Sequence, residues 1–134
     1  MRGIADTGFI VAYANRRDQH HDWAMEIEAD VSEPLLTCES VVAEAAHLLA
    51  NLPDVLRLLS TGFLKLDFDL NANLDAIHGL AYRFADQQPD LADLCIVRMS
   101  ELFPHHRVVT TDRRDFTVYR RNQREPIPLI LPPE

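Results

Sequence analysis
Short apolar runs alternate along the chain with longer stretches whose apolar positions recur every three or four residues. Ile4-Ala5 predicts a brief strand, and after Asp6-Thr7 the run from Gly8 to Ala14 predicts an apolar helix. Asn15-Arg16-Arg17-Asp18 breaks the pattern. His20 to Asp30 then reads as a second helix, with Trp23, Ile27 and Val31 at four-residue spacing. Pro34 closes it, Leu35-Leu36-Thr37 reads as a buried strand, and Ser40 is placed to cap a helix carrying Val41, Ala45, Leu48 and Leu49 on one face. Pro53 to Ser60 predicts a further helix, entered through its proline.

Gly62 and the run Phe63 to Phe68 predict a third strand, and residues 71–87 show helical spacing at Leu74, Ile77, Ala81 and Phe84. After Pro89, Leu91 to Phe103 is helical, with Leu94, Val97 and Leu102 on or near one face. Val108 to Thr111 predicts the next strand and Pro126 to Pro132 the last, whose prolines place it at a sheet edge or just beyond. Four to five short strands separated by helices predict an α/β fold around a mostly parallel sheet. No repeat, low-complexity tract or linker divides the 134 residues, so one domain over 1–134 is expected.

Composition agrees with a packed core, since 47% of the residues are hydrophobic and 25% charged. The formal net charge of -8 argues against a simple basic nucleic-acid binder and against a protein held on anionic lipid by charge. That charge is unevenly spread. Residues 1–106 hold 7 basic and 17 acidic side chains, whereas residues 107–134 hold 6 basic and 4 acidic ones, with Arg113, Arg114, Arg120, Arg121 and Arg124 in one short stretch. Cys38 and Cys95 are far apart without CxxC spacing, so neither a disulfide framework nor a thiolate zinc site is expected. Asp6 comes too early for a signal-peptide apolar region, and no apolar run reaches the roughly 18 residues of a membrane span; a cytoplasmic protein is expected.

Candidate chemistry lies in the acids. Open parallel sheets bind ligands beyond the carboxyl ends of their strands, and two predicted strands run directly into a carboxylate, at Asp6 and at Asp112. The simplest role for each is to cap the following helix. Asp90 and Asp93 have capping-box spacing, although Glu or Gln is the usual second member. Glu44 sits at the margin of an apolar helix stripe. If Asp6, Glu44, Asp93 and Asp112 converge, like charges about 4 Å apart repel by roughly 4 kcal/mol per pair at an effective dielectric near 20. Lys65, the only lysine, lies far from all four in sequence. A hard divalent cation with oxygen ligands, Mg²⁺ or Mn²⁺, would offset that repulsion.

Ala5-Asp6-Thr7-Gly8, Glu44 with Ala45-Ala46-His47-Leu48-Leu49, Asp90-Leu91-Ala92-Asp93 opening a helix, and Thr110-Thr111-Asp112-Arg113-Arg114-Asp115-Phe116 together resemble the PIN-domain ribonucleases. Among these the chain is most similar to the VapC toxins of toxin-antitoxin pairs, over residues 3 to 130. The resemblance implies an α/β/α sandwich and an acid cluster that binds Mg²⁺ or Mn²⁺ to hydrolyse RNA, leaving a 5′-phosphate and a 3′-hydroxyl. It makes Asp6 and Asp93 the principal metal ligands, with Glu44 and Asp112 completing the cluster directly or through water. Thr7 and Thr110 would hold metal-bound waters or orient carboxylates, and Asp90 and Asp115 are auxiliary acids. It also implies a cognate antitoxin, which would send a basic side chain toward the carboxylates, and a homodimer, for which the apolar second and third helices offer surface.

An acidic site repels RNA phosphates until metal fills it, so flanking basic groups must supply the attraction. Arg113 and Arg114 are the first candidates and Arg98 a further one; Arg120, Arg121 and Arg124 either extend that track or solvate the surface. His20 and His21 point about 100° apart on a helix and cannot readily chelate together, so they are expected to be packing or surface residues, Trp23 core, and His47 packed against the core. A receiver-type phosphoryl-transfer domain also gathers acids and Mg²⁺, but Val108 to Asp112 lacks the lysine it needs. A catalytically silent PIN-like module that binds RNA or protein would be expected to lack one of the four acids, and all four are present.

Overall fold
The structure, a computed structural model, describes residues 1–134. Five parallel strands form the central sheet: β1 (Gly3–Ala5), β2 (Leu35–Thr37), β3 (Leu64–Leu66), β4 (Arg107–Val109) and, after a small hairpin β5 (Arg120–Arg121) and β6 (Glu125–Pro126), the edge strand β7 (Leu129–Ile130). Their order is β3-β2-β1-β4-β7. Between β1 and β2 run α1 (Thr7–Ala14) and α2 (His21–Asp30); between β2 and β3, α3 (Glu39–Leu49) and α4 (Leu52–Ser60); between β3 and β4, α5 (Leu74–Arg83) and α6 (Leu91–Leu102). The short α7 (Arg113–Phe116) follows β4. Helices cover both faces of the sheet, which makes an α/β/α sandwich.

Ile4 at the centre pairs with Leu36 on one side and Val108 on the other. Because the chain steps outward from β1 to β2 and β3, and then returns to the other side of β1, the direction of winding reverses between β1 and β4. A crevice opens beyond the carboxyl ends of the strands at such a reversal. At the other end of β1, Gly3 leaves room for its neighbours' side chains, since an added Cβ would meet Leu35 Cδ2 at 2.8 Å and Val109 Cγ2 at 3.2 Å. The other α/β hallmark is α6, whose Ala92, Leu94, Cys95, Ile96, Val97 and Met99 are all buried. A helix buried over so much of its circumference belongs to an interior, with Asp93, Arg98 and Glu101 on its partly open side.

Several local expectations change. The third helix begins at Glu39 with Cys38, not Ser40, at the cap position, and no side chain caps it. The 71–87 segment is helical only over Leu74–Arg83, with single 3₁₀ turns at Asn71–Asn73 and Ala85–Gln87. The proline-rich end contributes only Leu129–Ile130 to the sheet, as an edge strand beside β4, because Pro126 and Pro128 lack the N–H a ladder needs. Cys38 and Cys95 are buried and unbonded. No helix is long and apolar enough to cross a membrane.

Candidate metal centre
Asp6 is the first residue beyond β1 and occupies the cap position of α1, yet its side chain makes no cap bond. Its backbone N–H extends the sheet to the Val109 carbonyl at 3.0 Å, which turns the carboxylate toward the end of β4. There the Thr110 hydroxyl donates to Asp6 Oδ2 at 2.7 Å and accepts the Asp112 N–H at 3.0 Å. Asp112 divides its work: Oδ1 caps α7 by accepting the Asp115 N–H at 3.0 Å, and Oδ2 carries no hydrogen bond. On the helix side, Asp90 Oδ1 caps α6 by accepting the Asp93 N–H at 2.8 Å. Asp93 does not reach back to complete a capping box. Its Oδ2 instead accepts the Tyr119 hydroxyl at 3.0 Å.

These pieces line one cavity of about 430 Å³. Asp6, Asp18, Glu44, Asp90, Asp93, Asp112 and Asp115 all face it, with Thr7, Thr111, Gln19 and His20, while Val11 and Leu48 are its only apolar walls. No lysine or arginine lines it. Carboxylate oxygens of Asp93, Asp112 and Asp115 lie within 4.8 Å of one another. At that separation each pair repels by roughly 3–4 kcal/mol at an effective dielectric near 20. Gly8 keeps the wall close, because an added Cβ would overlap the Thr111 hydroxyl.

Proton affinities follow from this crowding. Burial, reinforced by Asp90 and Asp6 and opposed by the Tyr119 hydroxyl, pushes Asp93 up to about 8. Burial also raises Asp6 to about 6, against the Thr110 hydrogen bond, with Asp112 and Glu44 adding to the rise. Glu44 is raised by burial and by Asp90. Asp112 is raised by burial, against the Asp115 N–H. Desolvation leads in every case, and like charges add to it where a cation would subtract.

The donor set is all oxygen, which suits a hard divalent cation and not a soft one. A second feature points the same way: Thr7 Oγ1, on the cavity wall, is buried and has no hydrogen-bond partner. Buried hydroxyls without a partner are rare in proteins, and one beside a carboxylate cluster fits the water shell that Mg²⁺ and Mn²⁺ retain. The residues fit the ion that the acid pattern implies.

Asp6, Glu44, Asp93 and Asp112 therefore line one cavity with Thr7, Asp90 and Asp115, and Thr110 bonds Asp6; the cluster whose carboxylate oxygens all lie within 4.8 Å of one another is Asp93, Asp112 and Asp115, without the expected Asp6 and Glu44. Basic candidates fare differently. Arg98 is not at the cavity; it donates to Asn73 at 2.9 Å and pairs with Glu101 at 3.1 Å. Arg113 donates to the Pro132 carbonyl and faces Glu134, while Arg114 is exposed and joins no ion pair. Arg121 is buried and structural, bonded to the Ser100 and Pro104 carbonyls and to Glu125. Lys65 pairs with Asp67 at 4.0 Å on the edge strand β3. His47 is exposed on α3 and not packed against the core, because two residues beyond Ala45 it faces away from the buried side of the helix.

Sequence reasoning missed Asp18, Gln19, His20, Thr111 and Tyr119. Asp18 to His20 form the turn between α1 and α2, where the break after Ala14 was the available signal. His20 lines the cavity with its ring edge-on to Trp23, whereas His21 Nδ1 bonds the Ala12 carbonyl at 2.8 Å. Tyr119 carries no local signal, since a buried aromatic reads simply as core.

Fold and site together define a class: a parallel α/β/α sandwich with a carboxylate-lined crevice at its winding reversal. No protein-family model and no curated protein matches the chain.

Proposed function
We propose that the chain is a Mg²⁺- or Mn²⁺-dependent endoribonuclease that hydrolyses RNA phosphodiester bonds and serves as the toxin of a type II toxin-antitoxin pair. The observation that carries the hydrolase reading is the gathering of seven carboxylates around one cavity that no lysine or arginine lines. Asp6, Asp93 and Asp112 would hold the ion, with Glu44 and Asp115 completing the set and Thr7 meeting its water shell. A bound Mg²⁺ or Mn²⁺ lowers the pKa of a coordinated water and neutralises charge on the phosphate oxygens. The protein's part is orientation: Thr110 fixes Asp6, and the Asp90 cap fixes the start of α6 that carries Asp93. Arg114, exposed two residues beyond Asp112, supplies attraction for phosphates.

The toxin role rests on the sequence resemblance. It is supported by the exposed Leu48 at the cavity lip, 60% accessible, which offers an apolar hold for an antitoxin segment.

Expressing the chain and its Asp6→Asn variant, then mapping RNA ends with and without Mn²⁺, tests this reading. Cleavage is expected from the parent with Mn²⁺. EDTA or Asp6→Asn should lower it by about 100-fold or more, because even the partners of metal ligands are worth 10–100-fold. Equal growth arrest by both forms, or cleavage that survives EDTA, removes the mechanism. Absence of both cleavage and metal binding instead favours a catalytically silent PIN-like RNA- or protein-binding module.

A further inference from the structure
Tyr119 is fully buried, edge-to-face with Phe84 and Phe116 at centroid distances of 5.1 and 5.2 Å. A buried tyrosine hydroxyl needs a partner, and this one takes Asp93 Oδ2 at 3.0 Å. Asp93 Oδ1 carries no hydrogen bond, and its backbone N–H is already committed to Asp90. The carboxylate is thereby tethered by one oxygen and free at the other. The Tyr119 backbone N–H meanwhile donates to the Asp115 carbonyl at 3.0 Å, so the residue belongs to the turn that ends α7. Tyr119 thus ties the α6 acid to the element bearing Asp112 and Asp115, the two carboxylates within 4.8 Å of it.

We propose that Tyr119 is a positioning residue for the metal centre, holding Asp93 Oδ2 through its hydroxyl so that Oδ1 meets the cation at a fixed spacing from Asp112 and Asp115. The inference rests on the metal-site reading above. Carboxylate ligands are commonly oriented by an outer hydrogen bond, and losing it weakens metal affinity 10–100-fold.

Mn²⁺ titration of the whole protein by calorimetry, with free Mn²⁺ followed by electron paramagnetic resonance, tests it. The set is the parent, Tyr119→Phe, Asp93→Asn and Phe84→Leu. Tyr119→Phe keeps the ring and removes only the hydroxyl; Phe84→Leu loosens the same aromatic packing and leaves the hydroxyl in place. Expected are an Mn²⁺ Kd about 10-fold or more higher in Tyr119→Phe, a Kd near the parent's in Phe84→Leu, and no site in Asp93→Asn. RNA cleavage by Tyr119→Phe should recover at saturating Mn²⁺, which a loss of folding alone would not do. If Tyr119→Phe binds as the parent does while Asp93→Asn does not, the tether idea alone is overturned. Equal weakening by Phe84→Leu would assign the effect to packing and overturn it as well. If Asp93→Asn still binds like the parent, the metal-centre reading falls and this inference with it.

Discussion

One hydroxyl serves two carboxylate positions at the end of β4. Thr110 is fully buried, and its oxygen both donates to Asp6 and accepts from the Asp112 backbone. Thr110→Val keeps the shape and strands both partners. An unpaired buried polar group costs about 1–3 kcal/mol, and the Asp112 N–H is partly accessible, so a loss of about 2–3 kcal/mol in urea-unfolding stability is expected. Thr110→Ser should stay within about 1 kcal/mol of the parent. Equal stability of Thr110→Val and Thr110→Ser would show that the hydroxyl is idle. Asp6, Asp93 and Asp112 were legible because each follows a local sign, a strand end or a cap spacing. The bond that orients Asp6 was not, since its donor lies 104 residues away. Tyr119 was hidden for the same reason, and for Asp93 the cap spacing correctly marked Asp90 while concealing that the second carboxylate serves a different partner.

Among the elements, α6 and the β5–β6 hairpin depend on each other. The hairpin turns through Asn122 and Gln123, with φ of 48° and 74°. Such backbone favours glycine or asparagine, and the absence of any Gly here left the hairpin unread. What holds it is Arg121, whose guanidinium donates to the Ser100 carbonyl at 2.7 Å and to Glu125 at 2.8 Å. The arginine-rich stretch, which reads as one basic surface, therefore divides: Arg121 faces inward and Arg114 outward. Arg121→Met fills similar volume and leaves the Ser100 and Pro104 carbonyls without a donor. A destabilisation of about 2–4 kcal/mol is expected, from bonds made by a charged donor, with Mn²⁺ affinity unchanged because Arg121 does not line the cavity. Thermal unfolding and metal titration of the purified variant check both halves. A large loss of metal affinity at modest destabilisation would contradict this division. The α/β order was legible at this scale because the strands β1, β2 and β4 are short apolar runs between helical periods; the hairpin was not, being held by the tertiary bonds of Arg121, and the 3₁₀ turns, closed by local bonds such as Ala72 N–H to Asp69, interrupt the helical spacing without changing its apolar period.

For the whole molecule, the net charge of -8 has two meanings that pH separates. In the cavity, Asp6 and Asp93 are held at about 6 and about 8 in the folded protein, against about 3.9 in an unfolded chain. Between those limits the folded state binds more protons than the unfolded state, so raising the pH favours unfolding. Their contribution is fully present below about pH 4 and is lost as the pH climbs through about 6 and then about 8. A divalent cation competes for the same oxygens and binds only the folded cluster, so its stabilisation grows over the same window. The metal-free melting temperature should therefore fall from about pH 5 to about pH 9, and millimolar Mn²⁺ should reduce or reverse that fall. Asp93→Asn removes the group with the highest value: it should flatten the upper half of the curve, raise the metal-free melting temperature near pH 8, and abolish the Mn²⁺ response. Differential scanning across the pH range with and without Mn²⁺ reads all three. A parent and an Asp93→Asn variant that melt in parallel at every pH would mean that Asp93 does not hold its proton more tightly in the folded protein than in the unfolded chain.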